Sequence, residues 1–348
     1  MMQLFTRDNG LSVSLLRRSR DSSEIVNPKA SLSLDLDNKW SYLKTHGNGA
    51  WESFPSYLDV VVPRALDFLR ARHLTITFFI VGQDAALEKN RDALTSIASA
   101  GHEVGNHSFH HEPWLHLYPE QQIETEIASA EEHIERVTGL RPIGFRGPGF
   151  TVSEAILKVL GRRGYLYDAS TLPTFLGPLA RAYYFLTAKL SPEEKHQLQA
   201  LFGSFAEGLR PITPYRWRTD GGGLIEIPVT TMPVFRLPIH ASYLMYLSVY
   251  SPSLALCYFR TALKLCQLTG VQPSLLLHPT DFIGGDDERD MSFHPAMQMP
   301  TEKKIEVLSK AIDALTAQFT ILTMQKHAQE VAAGFKVPVV EPSFAQRP

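Results

Sequence analysis

The sequence predicts an α/β fold: a parallel sheet, closed or nearly closed into a barrel, with its helices outside. Two observations carry that prediction. Between Ala30 and Leu322, short β-branched, aromatic or apolar runs alternate with longer segments of helical apolar period, and strand–helix units in series build a parallel sheet covered on its faces. Several of the strand candidates then end in polar, chemistry-bearing residues, where such a barrel carries its site. A chain of 348 residues with 44% hydrophobic and 20% charged residues suits one such core with insertions, and a core of this size needs no disulfide staples.

Taken in order, Ala30–Leu36 alternates small or apolar with polar residues and reads as a strand. Pro55–Arg72 sets Leu58, Val61, Val62, Ala65 and Leu69 at helical spacing, and Thr75–Val81 is a β-branched and aromatic strand run. Glu88–Ala100 reads as a helix stopped by Gly101, His102–Asn106 as a short strand, and Pro119–Thr138 as a long helix stopped by Gly139. Arg141–Phe145 is again extended, and Ser153 caps a helix running to about Arg163. Further strands are expected at Tyr165–Asp168, Leu224–Val229, Ser274–Leu277 and Phe319–Leu322, with helices near Ser253–Leu268 and Glu302–Ala317.

Thr171–Gly223 interrupts this rhythm with apolar, aromatic-rich stretches and an Arg-, Pro- and aromatic-rich run over Arg210–Thr219. A second apolar stretch, Val234–Phe259, is broken by Pro238 and Pro252. These segments read as a lid, a homo-oligomer surface, a peripheral membrane contact, or extra helices packed on the barrel. The expected organisation is a flexible extension over 1–25, a barrel over 26–335 with an insertion at about 171–223, and a tail over 336–348. Arg17, Arg18 and Arg20 are followed by no apolar stretch, so no cleaved leader is expected, and the cytoplasm is the default compartment, with membrane association as its alternative. A formal net charge of −2 implies no general attraction to nucleic acid. Cys257 and Cys266 lie in an apolar stretch without ligand-type neighbours and read as buried free thiols. Gly284-Gly285-Asp286-Asp287 reads as a solvated acidic turn, and no Gly-rich phosphate loop follows the first strand.

Five of the thirteen histidines fall between His102 and His116. His107 and His111 are four apart; in a helical turn both imidazoles would share one face and grip one ion, with His110 pointing elsewhere. Asp35 and Asp37 end the first strand candidate two apart, on one face. Two carboxylates so placed repel unless a cation or guanidinium joins them. One can ligate a metal while the other acts as a base, or both can belong to a polar turn with Asn38. Arg146, in Phe145-Arg146-Gly147-Pro148-Gly149, can orient a carboxylate, and its glycines let backbone approach a ligand closely. His278 ends the apolar run Leu275-Leu276-Leu277. Two histidines plus one carboxylate leave open positions on an ion, the arrangement that activates water and polarises a carbonyl.

In order and spacing these clusters resemble the polysaccharide deacetylases, the NodB-like carbohydrate esterase family 4, across roughly Ala30 to Leu322. The resemblance rests on His107-Ser108-Phe109-His110-His111 for His-Ser/Thr-x-x-His, Arg146-Gly147-Pro148 for Arg-x-Pro, and Leu276-Leu277-His278 for Leu-x-His. Phe78–Gly82 and Ala100–Gly105 add to it. The first motif reads Asp35-Leu36-Asp37 in place of an adjacent Asp pair, which is similar to the branch of Helicobacter-type peptidoglycan deacetylases, allantoinase-like amidohydrolases and aminoarabinose deformylases. The family's fourth-motif tryptophan is lacking beside Tyr167-Asp168-Ala169-Ser170.

The resemblance implies a distorted (β/α) barrel of about seven strands that hydrolyses an amide on an amino sugar of a polysaccharide or its precursor. It implies Zn²⁺, or another divalent transition metal, on Asp37, His107 and His111, with Asp35 as base positioned by Arg146. A backbone N–H near Gly149 would face the oxyanion, with Pro148 and Asp168 close to the substrate. His278 would protonate the leaving amine and Leu276 would wall the acyl pocket. Its alternatives are hydrolysis of a cyclic ureide or imide, or of a formyl group on a lipid-linked sugar, and a non-catalytic sugar-binding relative.

Overall fold

The computed structural model describes residues 27–176, 208–219, 223–294, 296–334 and 336–344. The extension over 1–25 and most of the expected insertion lie outside these residues. The sheet opens with β1 (Lys29–Asp35), followed by α1 (Lys39–Thr45) and α2 (Leu58–Arg70). Then come β2 (Thr77–Ile80), α3 (Gly82–Ala86), α4 (Arg91–Ser99), β3 (Glu103–Asn106) and the long α5 (Glu120–Thr138). β4 (Gly144–Phe145), α6 (Glu154–Arg162) and β5 (Tyr167–Asp168) complete the first half. The second half holds β6 (Tyr215–Trp217), β7 (Ile225–Glu226), α7 (Ala241–Tyr250), α8 (Pro252–Thr269) and β8 (Ser274–Leu277). α9 (Thr301–Thr316), β9 (Thr320–Leu322), α10 (Met324–Ala333) and β10 (Val339–Val340) close the chain.

The alternation in β1 does the sorting that a barrel requires. Ala30, Leu32 and Leu34 enter the main apolar core with Val61, Val62 and Leu69 of α2 and Leu263 of α8. Ser31, Ser33 and Asp35 take the opposite face and are also buried. β8 repeats the pattern, with Leu275 and Leu277 in that core and Leu276 on the other face. β1 pairs in parallel with β2, β8 and β9, and the path continues through β3, β4, β5 and β7. The chain leaving β7 spans toward β8: Thr230 N–H donates to Ser274 O at 3.1 Å, and Ser274 N–H donates to Thr230 Oγ1 at 2.6 Å. The sheet therefore curls into an incomplete barrel, the distorted form that the sequence led us to expect.

Local chemistry explains the helix limits. Ser153 Oγ accepts from Ile156 N–H at the start of α6, and Gly139, at φ 73°, ends α5. α1, absent from the sequence reading, starts where Asn38 Oδ1 accepts from Lys39 N–H at 2.8 Å. Two short strands also went unread. β6 lies in the Arg- and Pro-rich run and pairs antiparallel with β7; β10, in the expected tail, pairs parallel with β6.

One other expectation is corrected. Cys266 is buried, but Cys257 is exposed on the outer face of α8. The acidic turn is solvated as expected, with Asp286 and Asp287 exposed; Asp286 Oδ1 also accepts from Thr301 N–H at 2.9 Å at the start of α9, and Asp287 meets Arg64 at 2.5 Å. The stretch Val234–Phe259 supplies extra helices packed on the barrel. α7 buries Ala241, Leu244 and Met245, and leaves Val249 and Tyr250 exposed. No helix among the described residues is long and apolar enough to cross a membrane.

Candidate metal centre

Asp35, Asp37, His107, Arg146 and His278 come from the ends of β1, β3, β4 and β8, and the first four converge. Asp37 offers one oxygen to two imidazoles: Oδ1 lies 3.2 Å from His107 Nε2 and 3.0 Å from His111 Nε2. One ligand atom from each of the three residues lies within 4.8 Å of the others. Donors bound to one tetrahedral ion at about 2.0–2.1 Å sit about 3.3 Å apart, so the spacing fits.

The chemistry of the donors fits as well. His107 Nδ1 is 2.6 Å from the carbonyl of Arg146. A carbonyl can only accept, so Nδ1 carries the proton and the neutral ring turns its Nε2 lone pair toward Asp37. A lone pair facing a carboxylate oxygen at 3.2 Å needs a proton or a cation between them. Without an ion, protons take that place. Burial alone would lower the His107 imidazole, but Asp35 and Asp37 outweigh it and raise it above its ordinary value. Burial would likewise raise Asp37, but the His111 charge and bonds from both imidazoles hold it well below the usual carboxylate range.

The two histidines do not meet through a helical turn. Residues 107–112 form a loop in which Ser108 and His111 adopt φ of 59° and 52°. Left-handed backbone at a non-glycine residue costs on the order of 1–3 kcal/mol and survives only where the surroundings enforce it. Here Glu126 of α5 enforces it, accepting from Phe109 N–H at 3.2 Å, His110 N–H at 3.0 Å and His110 Nδ1 at 2.5 Å. The expectation that His110 points away from the pair holds for that reason. On the other side, Ser108 O and Phe109 O accept from Gly82 and Gln83 N–H, both at 2.9 Å.

Asp35 stands beside this cluster. Its Oδ2 is 4.0 Å from His107 Nε2, and its Oδ1 accepts from Arg146 Nη1 at 2.6 Å. The Arg146 side chain is fully buried. Nη1 also donates to Ser33 Oγ at 2.8 Å, Nε donates to Ala169 O at 2.9 Å, and the guanidinium lies 4.4 Å from the Phe79 ring centroid. So many fixed partners leave the guanidinium one position and the carboxylate one orientation. Gly147 permits the tight turn that follows, since a Cβ there would stand 2.1 Å from Thr151 O. Pro148 is buried, and Gly149 adopts φ 62°, where a Cβ would stand 3.3 Å from Pro113 Cβ.

Asp168 is fully buried and works within the wall. Its Oδ1 accepts from Ala169 N–H at 2.9 Å and from Ser170 Oγ at 2.5 Å. Burial and then the neighbouring Glu226 hold its carboxyl well above its ordinary value. Its bonds support the turn that presents Ala169 O to Arg146. Leu276 is buried on the face of β8 shared with Ser33 and Asp35 through the β1–β8 register.

His278 has two partners that the sequence reading did not single out. Its Nδ1 is 3.0 Å from Ser242 Oγ, and its N–H donates to Asp281 Oδ2 at 2.7 Å. Asp281 carried a local signal, since an acid three residues past a helix-capping position is the spacing of a capping box. Ser242, thirty-six residues away, carried none. Glu126 and Ser33 were also missed, because only the tertiary fold turns them toward these loops.

Comparison with known proteins follows the same lines. The family described as polysaccharide deacetylase matches residues 49–167, which include His107, His111 and Arg146 but not Asp35, Asp37 or His278. The chain is 34% identical over 110 residues to the peptidoglycan-N-acetylmuramic acid deacetylase of Bacillus subtilis, covering 31% of this chain and 41% of that protein. It is 31% identical over 114 residues to the peptidoglycan deacetylase of Helicobacter pylori, covering 33% and 38%. The matched region thus spans less than half the length of these relatives. Among solved structures, a proposed polysaccharide deacetylase from Mycobacterium smegmatis superposes with a TM-score of 0.58 at 19% identity, covering 93% of this chain and 99% of that one. PuuE allantoinase gives 0.57 at 16% identity, covering 88% and 91%. The protein carries the sequence signature of the polysaccharide deacetylases over residues 49–167 and the NodB-like barrel of that family over most of its described length.

Proposed function

We propose that the chain is a metal-dependent amide hydrolase that removes an N-acetyl or similar acyl group from an amino sugar of a polysaccharide or its precursor. The observation that carries this is the convergence of His107 and His111 Nε2 on one oxygen of Asp37, beside an Asp35 held off that cluster by a buried arginine. The peptidoglycan deacetylases among its relatives support an amino-sugar amide as substrate.

Asp37, His107 and His111 would hold the ion, zinc or another divalent transition metal. Such an ion supplies Lewis acidity toward a carbonyl oxygen and makes water nucleophilic near neutral pH. Asp35 takes the proton of the attacking water, and Arg146 keeps its carboxylate aimed. The backbone N–H at Gly149, presented by the Pro148 turn, donates to the oxygen that gains charge. His278 returns a proton to the departing amine, and Leu276 bounds the space for the acyl group. The Asp-x-Asp motif and the likeness to PuuE allantoinase leave a second reading in the same site, hydrolysis of a cyclic ureide.

Elemental analysis of the purified protein beside His107→Ala tests the centre. One divalent transition metal per chain in the wild type, lost in the variant, is expected. A wild type that neither contains nor takes up zinc would overturn the ligand assignment.

A further inference from the structure

The hydrogen bonds around His278 fix more than its position. Ser242, on the first turn of α7, donates its only hydroxyl proton to Asp281 Oδ1 at 2.9 Å. The same oxygen lies 3.0 Å from His278 Nδ1 and accepts there; the Asp281 N–H, which also faces the His278 side chain in a capping box, already has His278 O as acceptor at 3.0 Å, so Nδ1 carries the proton. Asp281 is held in turn: its Oδ2 takes the His278 N–H, and Lys304, fully buried, donates to Thr280 O at 2.9 Å one residue away. A carboxylate, a hydroxyl and an imidazole thus stand in line, with Nε2 the ring nitrogen left for other work.

We propose that Ser242 is a positioning residue that relays the Asp281 carboxylate to His278, holding the imidazole as its Nδ1–H tautomer and assigning Nε2 to the proton transfer. This rests on the reading of His278 as general acid. When His278 is protonated, both ring nitrogens carry hydrogen. Nδ1–H then donates to Ser242 Oγ, whose own proton points to the carboxylate, and Nε2–H is the proton delivered to the leaving nitrogen. That nitrogen gains the proton and keeps the electron pair of the broken C–N bond, while Nε2 recovers its lone pair. The second imidazole nearby, His240, with ring centroids 6.2 Å apart, does not compete, because burial pushes it down to about 3. Ser242 comes from a helix remote in sequence from every other site residue, which makes α7 part of the catalytic barrel rather than a covering.

The test needs no substrate for its first arm. Two-bond ¹H–¹⁵N correlation of the labelled protein, with the His278 signals assigned by their loss in His278→Ala, reports the tautomer directly. The wild type and Ser242→Thr should show Nδ1–H, and Ser242→Ala should move the ring to Nε2–H or to a mixture. In the second arm, turnover of N-acetylglucosamine oligomers should fall about tenfold or more in kcat for Ser242→Ala with KM little changed, and Ser242→Thr should recover most of it. An unchanged tautomer in Ser242→Ala, or a threonine variant no better than alanine, would overturn the relay. Wild-type turnover in His278→Ala would instead remove the general-acid role from the proposed function, with the tautomer result still standing.

Discussion

Replacing Arg146 by alanine should be far more damaging to the fold than an arginine substitution ordinarily is. The guanidinium is fully buried, and three of its hydrogen bonds end on Asp35, Ser33 and Ala169 O at 2.6, 2.8 and 2.9 Å. Its removal takes from the Asp35 carboxylate, 3% exposed, its hydrogen-bonded countercharge, and breaking one side of a buried pair costs about 3–5 kcal/mol. Asp35→Asn leaves the guanidinium uncompensated in the same way, although the amide oxygen can still accept from Nη1; its cost should fall at or below the lower end of that range. The double variant removes both charges together. It should therefore be less destabilised than the two single losses combined, by roughly 1.5–3 kcal/mol. Urea denaturation of the four proteins in a double-mutant cycle measures this. Additive losses, or an Arg146→Ala variant that unfolds at the wild-type midpoint, would refute the view that this pair is a coupled unit which aims the Asp35 carboxylate.

Two predictions concern pH. Burial raises Asp84 from its ordinary 3.8 to about 7, despite bonds from Asn38 and Trp40. Between those values the native state holds a proton that the unfolded state releases, so stability should fall as pH rises through that window, by on the order of 1–3 kcal/mol between pH 5 and 8. Denaturation of Asp84→Asn should show a smaller fall, and an equal fall in both proteins would rule Asp84 out as its source. In the metal-free protein, raised His107 contributes stability below its ordinary 6.5 that is lost as pH rises through its folded value. Lowered Asp37 contributes stability above 3.8 that is lost as pH falls through its own. On the proposed assignment, zinc would replace the proton on this pair, so calorimetry in weakly buffered solution near pH 6 should record proton release on binding. Zinc uptake without proton release would contradict the lone-pair geometry.

Much of the chemistry was legible in the chain because it is local. Two carboxylates two residues apart at a strand's end mark a polar cluster, and Asp35 and Asp37 both reach His107, although β1 itself stops at Asp35. The alternation of β1, the apolar runs of β2 and β8 and the caps at Ser153 and Gly139 need only neighbouring residues to be understood. Other features depend on contacts that no local spacing encodes. The helical pairing expected of His107 and His111 is replaced by two left-handed residues, because Glu126, fifteen and more positions on, ties the loop down from α5. β6 and β10 are too short to show a period and exist through pairing with each other and with β7. Asp168 was named only through the resemblance, and its buried surroundings, Ser170 Oγ, the Ala169 N–H and the neighbouring Glu226, come together only in the fold. Ser242 shows the division most sharply. The residue types and their order determined which groups could do chemistry, while the fold alone decided which hydroxyl meets His278, since that contact joins two elements whose separation along the chain carries no periodic or motif signal.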